Sequence, residues 1–193
     1  VTEALLFDCD GTLVDSLPLY LKAWQAVLQD VAGLEVPVTW FQSKGGVTEE
    51  VLLQHMEQDF DCILDQKRIL SRSREAVLDL MHSVSENTAV TDIVRAFRGK
   101  RPMGVVSNGT RGIVTAALKS TGLYDAFRVV VTVEDMPRPK PAPDGWLLAA
   151  SRLGVHPDRC IVFEDSEQGL AAGMGAGMRT IDVRQKCPAP HEL

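Results

Sequence analysis

Apolar residues along this 193-residue chain fall into two kinds of run. Five are short and nearly unbroken: ALLF at 4–7, MGVVS at 103–107, VVVTV at 129–133, CIVF at 160–163 and RTIDV at 179–183. Continuous rather than alternating hydrophobicity is what a strand covered on both faces requires. Between the last four runs, segments near 110–121, 142–153 and 166–176 carry apolar residues at helical spacing. Such alternation predicts parallel strands joined by helical crossovers, an α/β fold with a doubly wound sheet.

The stretch from 15 to about 100 has no comparable strand run and reads as helix throughout. LYLKAWQAVL, EEVLLQHM, KRILSRSREAVLDLMHSV and VTDIVRAF are helical in period, with Gly33, Pro37 and the Gly45-Gly46 pair as breaks. An insertion of this length is too long for a loop. It predicts a small helical cap domain over 15–84, set on an α/β core formed by 1–14 and 85–193, with the helix at 89–98 returning to the core. GMGAGM at 173–178 lacks the last glycine of a dinucleotide fingerprint and reads as a helix end and a close packing contact.

Charge narrows the partners. The 26 acidic and 20 basic residues are mixed and leave a net −6, which argues against a nucleic-acid backbone. The apolar runs are too short to span a bilayer, and no basic segment precedes a long apolar one near residue 1. The expectation is a soluble cytoplasmic protein with no membrane partner and, on oligomeric state, a monomer. Cys9, Cys62, Cys160 and Cys187 form no C-x-x-C pair and have no ligand spacing with histidine, so reduced thiols are expected and zinc is not.

The chemistry sits where strands end, which is where open parallel sheets bind ligands. LLFDCDGTLVDS brings Asp8 and Asp10 to the end of the first strand. Two carboxylates so close raise each other's pKa unless a cation or a shared proton relieves them. A calcium loop numbered from Asp8 would need glycine and glutamate where Leu13 and Leu19 stand. A capping turn is the plainer alternative. The second strand ends in Ser107-Asn108-Gly109-Thr110, the third is followed by EDMPRPKPAPDG with Lys140, and the fourth ends in Glu164-Asp165-Ser166. Each cluster alone could cap a helix or face solvent. Together they gather acids suited to Mg²⁺ with a lysine and a hydroxyl suited to phosphate, the parts of a phosphoryl-transfer site.

DCDGTLVDS, VVSNGT, RPKPAPDG and FEDSEQGLAA resemble, in order and spacing, the four motifs of the haloacid dehalogenase superfamily, and the likeness covers essentially the whole chain. Within it the chain resembles the β-phosphoglucomutase-like branch, and RGKRPMGVVSNG with KPAPDGWLLAASRLGV resembles its fructose-1-phosphate phosphatase members. The resemblance implies a Rossmann-like core and an Mg²⁺-dependent phosphatase acting on a small phosphorylated metabolite, such as a sugar phosphate. It makes Asp8 the nucleophile, Asp10 the general acid and base, and Ser107, Asn108 and Lys140 the phosphate-binding groups. Asp8, Asp10 through its carbonyl, and Asp165 are the implied metal ligands, with Glu164 further or outer.

The true mutases carry histidine where this chain has Tyr20 and a cap arginine about where it has Glu49, so water is favoured over a sugar as acceptor. A phosphosugar mutase is the alternative, and a non-enzymatic binding protein on the same fold is the third. In the cap, SKGGVTEE is the candidate specificity loop, through Lys44, Gly46, Thr48 and Glu49.

Overall fold

The computed structural model describes residues 2–44, 47–185 and 187–193. Strands β1 (Ala4–Phe7), β4 (Met103–Val106), β5 (Val129–Val131), β6 (Cys160–Glu164) and β7 (Arg179–Asp182) form one parallel sheet in the order β5-β4-β1-β6-β7. Each matches one of the five sequence runs to within two residues. The fold is the expected α/β architecture. Chain order reverses beside β1, so the crevice at its carboxyl end is the natural ligand site.

Continuity of the apolar runs has a direct cause. Leu5 and Phe7 of β1 face Ile93 of α5 (Thr88–Phe97) and Ile113 of α6 (Arg111–Ser120) in one buried cluster. Ala4 and Leu6 face the other way, toward Trp146 of α7 (Asp144–Leu153) and Ala172 of α8 (Glu167–Gly175). Both faces are therefore apolar, and all four β1 side chains are fully buried. Phe7 stacks on Phe163 of β6 at 4.8 Å between ring centroids, which ties the two central strands together beneath the site. At the end of α8 the backbone crowds β7: a Cβ on Gly173 would lie 2.7 Å from Thr180 Oγ1. That is the close contact expected there.

Between β1 and α5 lie α1 (Leu17–Ala32), α2 (Val38–Gln42), α3 (Glu49–Asp59) and α4 (Gln66–Leu80). Helices α1 and α4 pack along each other, burying Trp24, Leu28, Ile69 and Val77, and this apolar core is continuous with the α5–α6 face of the sheet. Gly33 ends α1 at φ +63°, a left-handed cap that favours glycine.

One further helix and one departure from an all-helical reading occur here. The short α2 follows Pro37, which caps it. A ribbon of two residues per strand, β2 (Val14–Asp15) antiparallel to β3 (Ser85–Glu86), sets side by side the points where the chain leaves and rejoins the sheet. Segments that short show no hydrophobic period. Among the described residues no helix is long and apolar enough to cross a membrane.

Candidate active site

The site begins where β1 stops. Asp8 still donates its backbone N–H to Phe163 O at 3.0 Å, so its carboxylate is held at the sheet edge by a ladder bond. The next residues fold into a tight turn in which the N–H groups of Leu13 and Val14 both donate to Cys9 O. Gly11, at φ +86°, makes this turn possible. Only glycine fits, because a Cβ there would lie 2.2 Å from Asp165 Oδ2.

On this turn Asp10 accepts hydrogen bonds from Ser16 Oγ at 2.6 Å and Ser107 Oγ at 3.3 Å. Burial raises its pKa against the opposing pull of those two bonds, which favours a carboxyl able to carry a proton. Ser107 in turn accepts from Gly109 N at 2.9 Å, fixing its hydroxyl.

Lys140 comes from the loop between β5 and α7. Its ammonium lies 2.6 Å from Asp8 Oδ1 and 2.7 Å from Glu164 Oε2, and 4.5 Å from the centre of the Trp146 ring. Burial works against this charge, but the carboxylates of Asp8 and Glu164 overcome it and hold the lysine pKa well above its ordinary value. Asn108 braces the loop with both ends of its amide: Oδ1 accepts from Lys140 N at 3.0 Å and Nδ2 donates to Lys140 O at 3.2 Å. The expected anion-binding pair is thus also a structural unit.

At the end of β6, Glu164 is fully engaged. Its Oε1 accepts from Asp165 N, Ser166 N and Ser166 Oγ at 2.9–3.0 Å, while Oε2 takes Lys140. Asp165 is more open and accepts from Thr12 Oγ1 at 2.9 Å. Burial, then the neighbouring Glu164 charge, pushes Asp165 up to about 6. Burial and Glu164 likewise raise Asp8 well above the usual carboxylate range, only partly offset by Lys140.

One oxygen from each of Asp8, Glu164 and Asp165 lies within 4.8 Å of the others. Oxygen-only donors gathered about the Lys140 ammonium, with the carboxyls of Asp8 and Asp165 raised, are the set that a hard divalent ion relieves, so these residues fit Mg²⁺.

These groups share a cavity of about 550 Å³. One wall is the sheet edge, with Asp8, Asp10, Ser107, Asn108, Lys140, Glu164 and Asp165 all exposed to it. The opposite wall comes from the helical segment: Leu17 and Tyr20 of α1, Gln42 at the end of α2 with Ser43 just past it, Val47, and Glu49 of α3. Arg184, held by Asp182 at 2.8 Å, stands at the rim.

The candidate specificity loop is only partly at the cavity. Glu49 lines it. Lys44, expected to be available for a hydroxyl or an anion, instead pairs with Asp59 at 2.9 Å, lies 5.4 Å from the Trp40 ring centre, and is not among the lining residues. Thr48 is buried as the N-cap of α3, its hydroxyl accepting from Val51 N at 3.4 Å, and also lies off the wall. Gly46 falls outside the described residues.

Four contributors had no individual assignment from sequence. Ser16 and Thr12 lie inside the first motif, where their hydroxyls follow the acids closely enough to have been suspected as their partners. Arg74, which grips Glu49 from α4, and Arg184 carry no local signal, because only the tertiary fold brings them near.

The fold and its acidic edge define a hydrolase of the haloacid dehalogenase type. The sequence profile of haloacid dehalogenase-like hydrolases matches residues 5–183, and the chain belongs to that family. It is similar to the fructose-1-phosphate phosphatase YqaB of Escherichia coli, 35% identical over 93% of this chain and 95% of that one. It is also similar to hexitol phosphatase A of the same organism, 32% identical over 97% of this chain and 86% of the relative. A solved family hydrolase from Deinococcus radiodurans, with bound phosphate and sodium, is 31% identical with a TM-score of 0.69, covering 98% of this chain and 84% of its own.

Proposed function

We propose that the chain is an Mg²⁺-dependent phosphatase of small phosphorylated metabolites, sugar phosphates foremost, working through an aspartyl-phosphate. The observation that carries this reading is the convergence of Asp8, Asp10, Lys140 and Asp165 on one cavity. The names of two relatives at 35% and 32% identity, a fructose-1-phosphate phosphatase and a hexitol phosphatase, support the substrate class.

In this reading Asp8 attacks phosphorus while Asp10 gives its proton to the departing alkoxide. Asp10 then takes a proton from the incoming water, which attacks the acyl phosphate and frees inorganic phosphate and Asp8. Ser107 and Asn108 bind the transferring oxygens, and Lys140 offsets the negative charge gathered on Asp8 and the phosphoryl group. Asp8, the Asp10 carbonyl and Asp165 hold Mg²⁺, with Glu164 further or outer. When bound, the ion supplies positive charge that lets an anionic carboxylate approach an anionic phosphate.

Residues 15–84 act as the cap over this site, hinged at the β2–β3 ribbon, with 1–14 and 85–193 as the core. A cap of this kind excludes water from the nucleophilic step and covers the leaving group. The direct test is a panel of phosphorylated metabolites assayed for phosphate release with Mg²⁺. Release from sugar or polyol phosphates is the expected result, and a panel-wide absence of release refutes the reading.

A further inference from the structure

The chemistry proposed above uses the sheet edge and leaves the polar side chains of the opposite wall without a task, Tyr20 and Glu49 among them. Tyr20 of α1 and Glu49 in the first turn of α3 both line the cavity. Glu49 is anchored through Oε2, which accepts from Arg74 Nε at 2.5 Å, while Arg74 also holds Glu50 at 2.8 Å. Its other oxygen, Oε1, is buried and has no hydrogen-bond partner among the described residues. An unmet carboxylate oxygen is costly, and a chain that keeps one beside a ligand cavity has an acceptor in hand. The last torsion of glutamate is soft, so Oε1 can turn toward the cavity from its Arg74 anchor.

Tyr20 supplies the complementary function. Burial, and after it the charges of Asp10 and Glu49, raises the phenol pKa well above its ordinary value, so the ring is a neutral donor within electrostatic reach of both acids. A group that needs one acceptor and one donor together is a hydroxyl. An ammonium would satisfy Glu49 but has no lone pair to accept from the Tyr20 O–H, and a second phosphate would be repelled by Glu49.

We propose that Tyr20 and Glu49 form a donor–acceptor pair that reads one hydroxyl on the leaving group, so that the chain selects phosphorylated sugars and polyols over esters lacking that hydroxyl. This rests on the phosphatase reading and adds to it the side chains that choose the substrate. Glu49 accepts from the hydroxyl and Tyr20 donates to its oxygen.

The test compares kcat/KM for the best sugar or polyol phosphate of the panel with that for n-butyl phosphate, in the wild-type chain, Tyr20→Phe, Glu49→Ala and the double variant. The ratio of the two should fall about 10-fold or more in each single variant. The double variant should lose less than the product of the singles, because both serve the same hydroxyl. Equal losses on the two esters, independent effects of the two residues, or a wild-type preference for n-butyl phosphate would each overturn the pair. If Glu49→Ala does not fold, Tyr20→Phe decides the matter through the same ratio. Phosphate release from neither ester overturns the phosphatase reading itself.

Discussion

The ammonium of Lys140 meets the carboxylate of Asp8 at 2.6 Å, deep in the sheet edge, where the lysine side chain is only 3% exposed. Glu164 closes the other side at 2.7 Å. One cation thus serves two buried acids, and the group that attacks phosphorus in the proposed mechanism is oriented before substrate arrives. Buried pairs contribute little net stability, but removing one partner strands the other.

Lys140→Ala should therefore damage the fold as well as the reaction. The expected loss is about 3–5 kcal/mol in urea unfolding, the range for breaking a buried pair. Adding Glu164→Gln should cost less than the sum of the two single changes, since it also removes a stranded charge. In the fraction that remains folded, kcat should fall by a larger factor than KM rises. A Lys140→Ala chain with wild-type stability would contradict the geometry.

The two aspartates of the first motif should separate cleanly. Asp8→Asn keeps the volume and removes the nucleophile, so phosphate release should vanish while the circular dichroism spectrum persists, because Lys140 keeps Glu164 as its counter-charge. Asp10→Asn leaves the nucleophile and removes the proton carrier, and turnover should drop by about 10² to 10⁴. Steady-state phosphate release measures both, and wild-type turnover in either variant contradicts the assigned role.

Much of this was legible in the chain. Strand-buried runs such as ALLF and CIVF announce a sheet covered on both faces, and acids directly after them announce its reactive edge. Position in the cavity was harder to read. Lys44 and Glu49 look alike in sequence, as charged residues of one loop, yet Asp59 takes the first while α3 turns the second toward the site. Arg74, 25 residues from Glu49, becomes its partner only because α4 packs beside α3. Likewise the Glu164 link to Lys140 spans 24 residues and needs the crossover helix α7 to exist. Local pattern fixes elements and their ends, whereas pairing between side chains on different elements is a property of the packing.

Stability should depend on pH and Mg²⁺ together. Asp165, ordinarily at 3.8, is pushed up to about 6, and Asp8 is raised as well. A carboxyl whose pKa is raised by folding holds its proton more tightly when folded, so its contribution is present at low pH and lost as pH rises through the raised value. Asp182, Glu134, Asp135 and Glu86 are shifted downward, and their effect falls below their ordinary values, outside the range from pH 5 to 7. Metal-free protein should thus melt at a lower temperature at pH 7 than at pH 5. Added Mg²⁺ should raise the melting temperature more at pH 7, where the acids are ionised, and EDTA should abolish phosphate release. Identical Mg²⁺ effects at both pH values would refute the coupling.

The most local prediction concerns Gly169, in the first turn of α8. A Cβ there would lie 1.9 Å from Glu164 Oε2, the oxygen that holds Lys140. That clash has no cheap relief. Glu164 cannot swing aside without breaking its bonds to Lys140 and to Ser166, and α8 cannot retreat without losing Ala172 from the core. Gly112, in α6, is the matched control, because among the described residues no atom outside its chain neighbours and its own helix backbone lies within 4 Å of an added Cβ, and its φ is ordinary. Helix propensity alone favours alanine at either position by about 0.5–1 kcal/mol. Gly112→Ala should accordingly raise the melting temperature slightly and leave turnover alone. Gly169→Ala should lower both, by pushing Glu164 off the lysine and the lysine off Asp8. Parallel melts and phosphate-release assays on the two variants separate the outcomes, and a stabilised, fully active Gly169→Ala would show that Glu164 does not need to stand where it does.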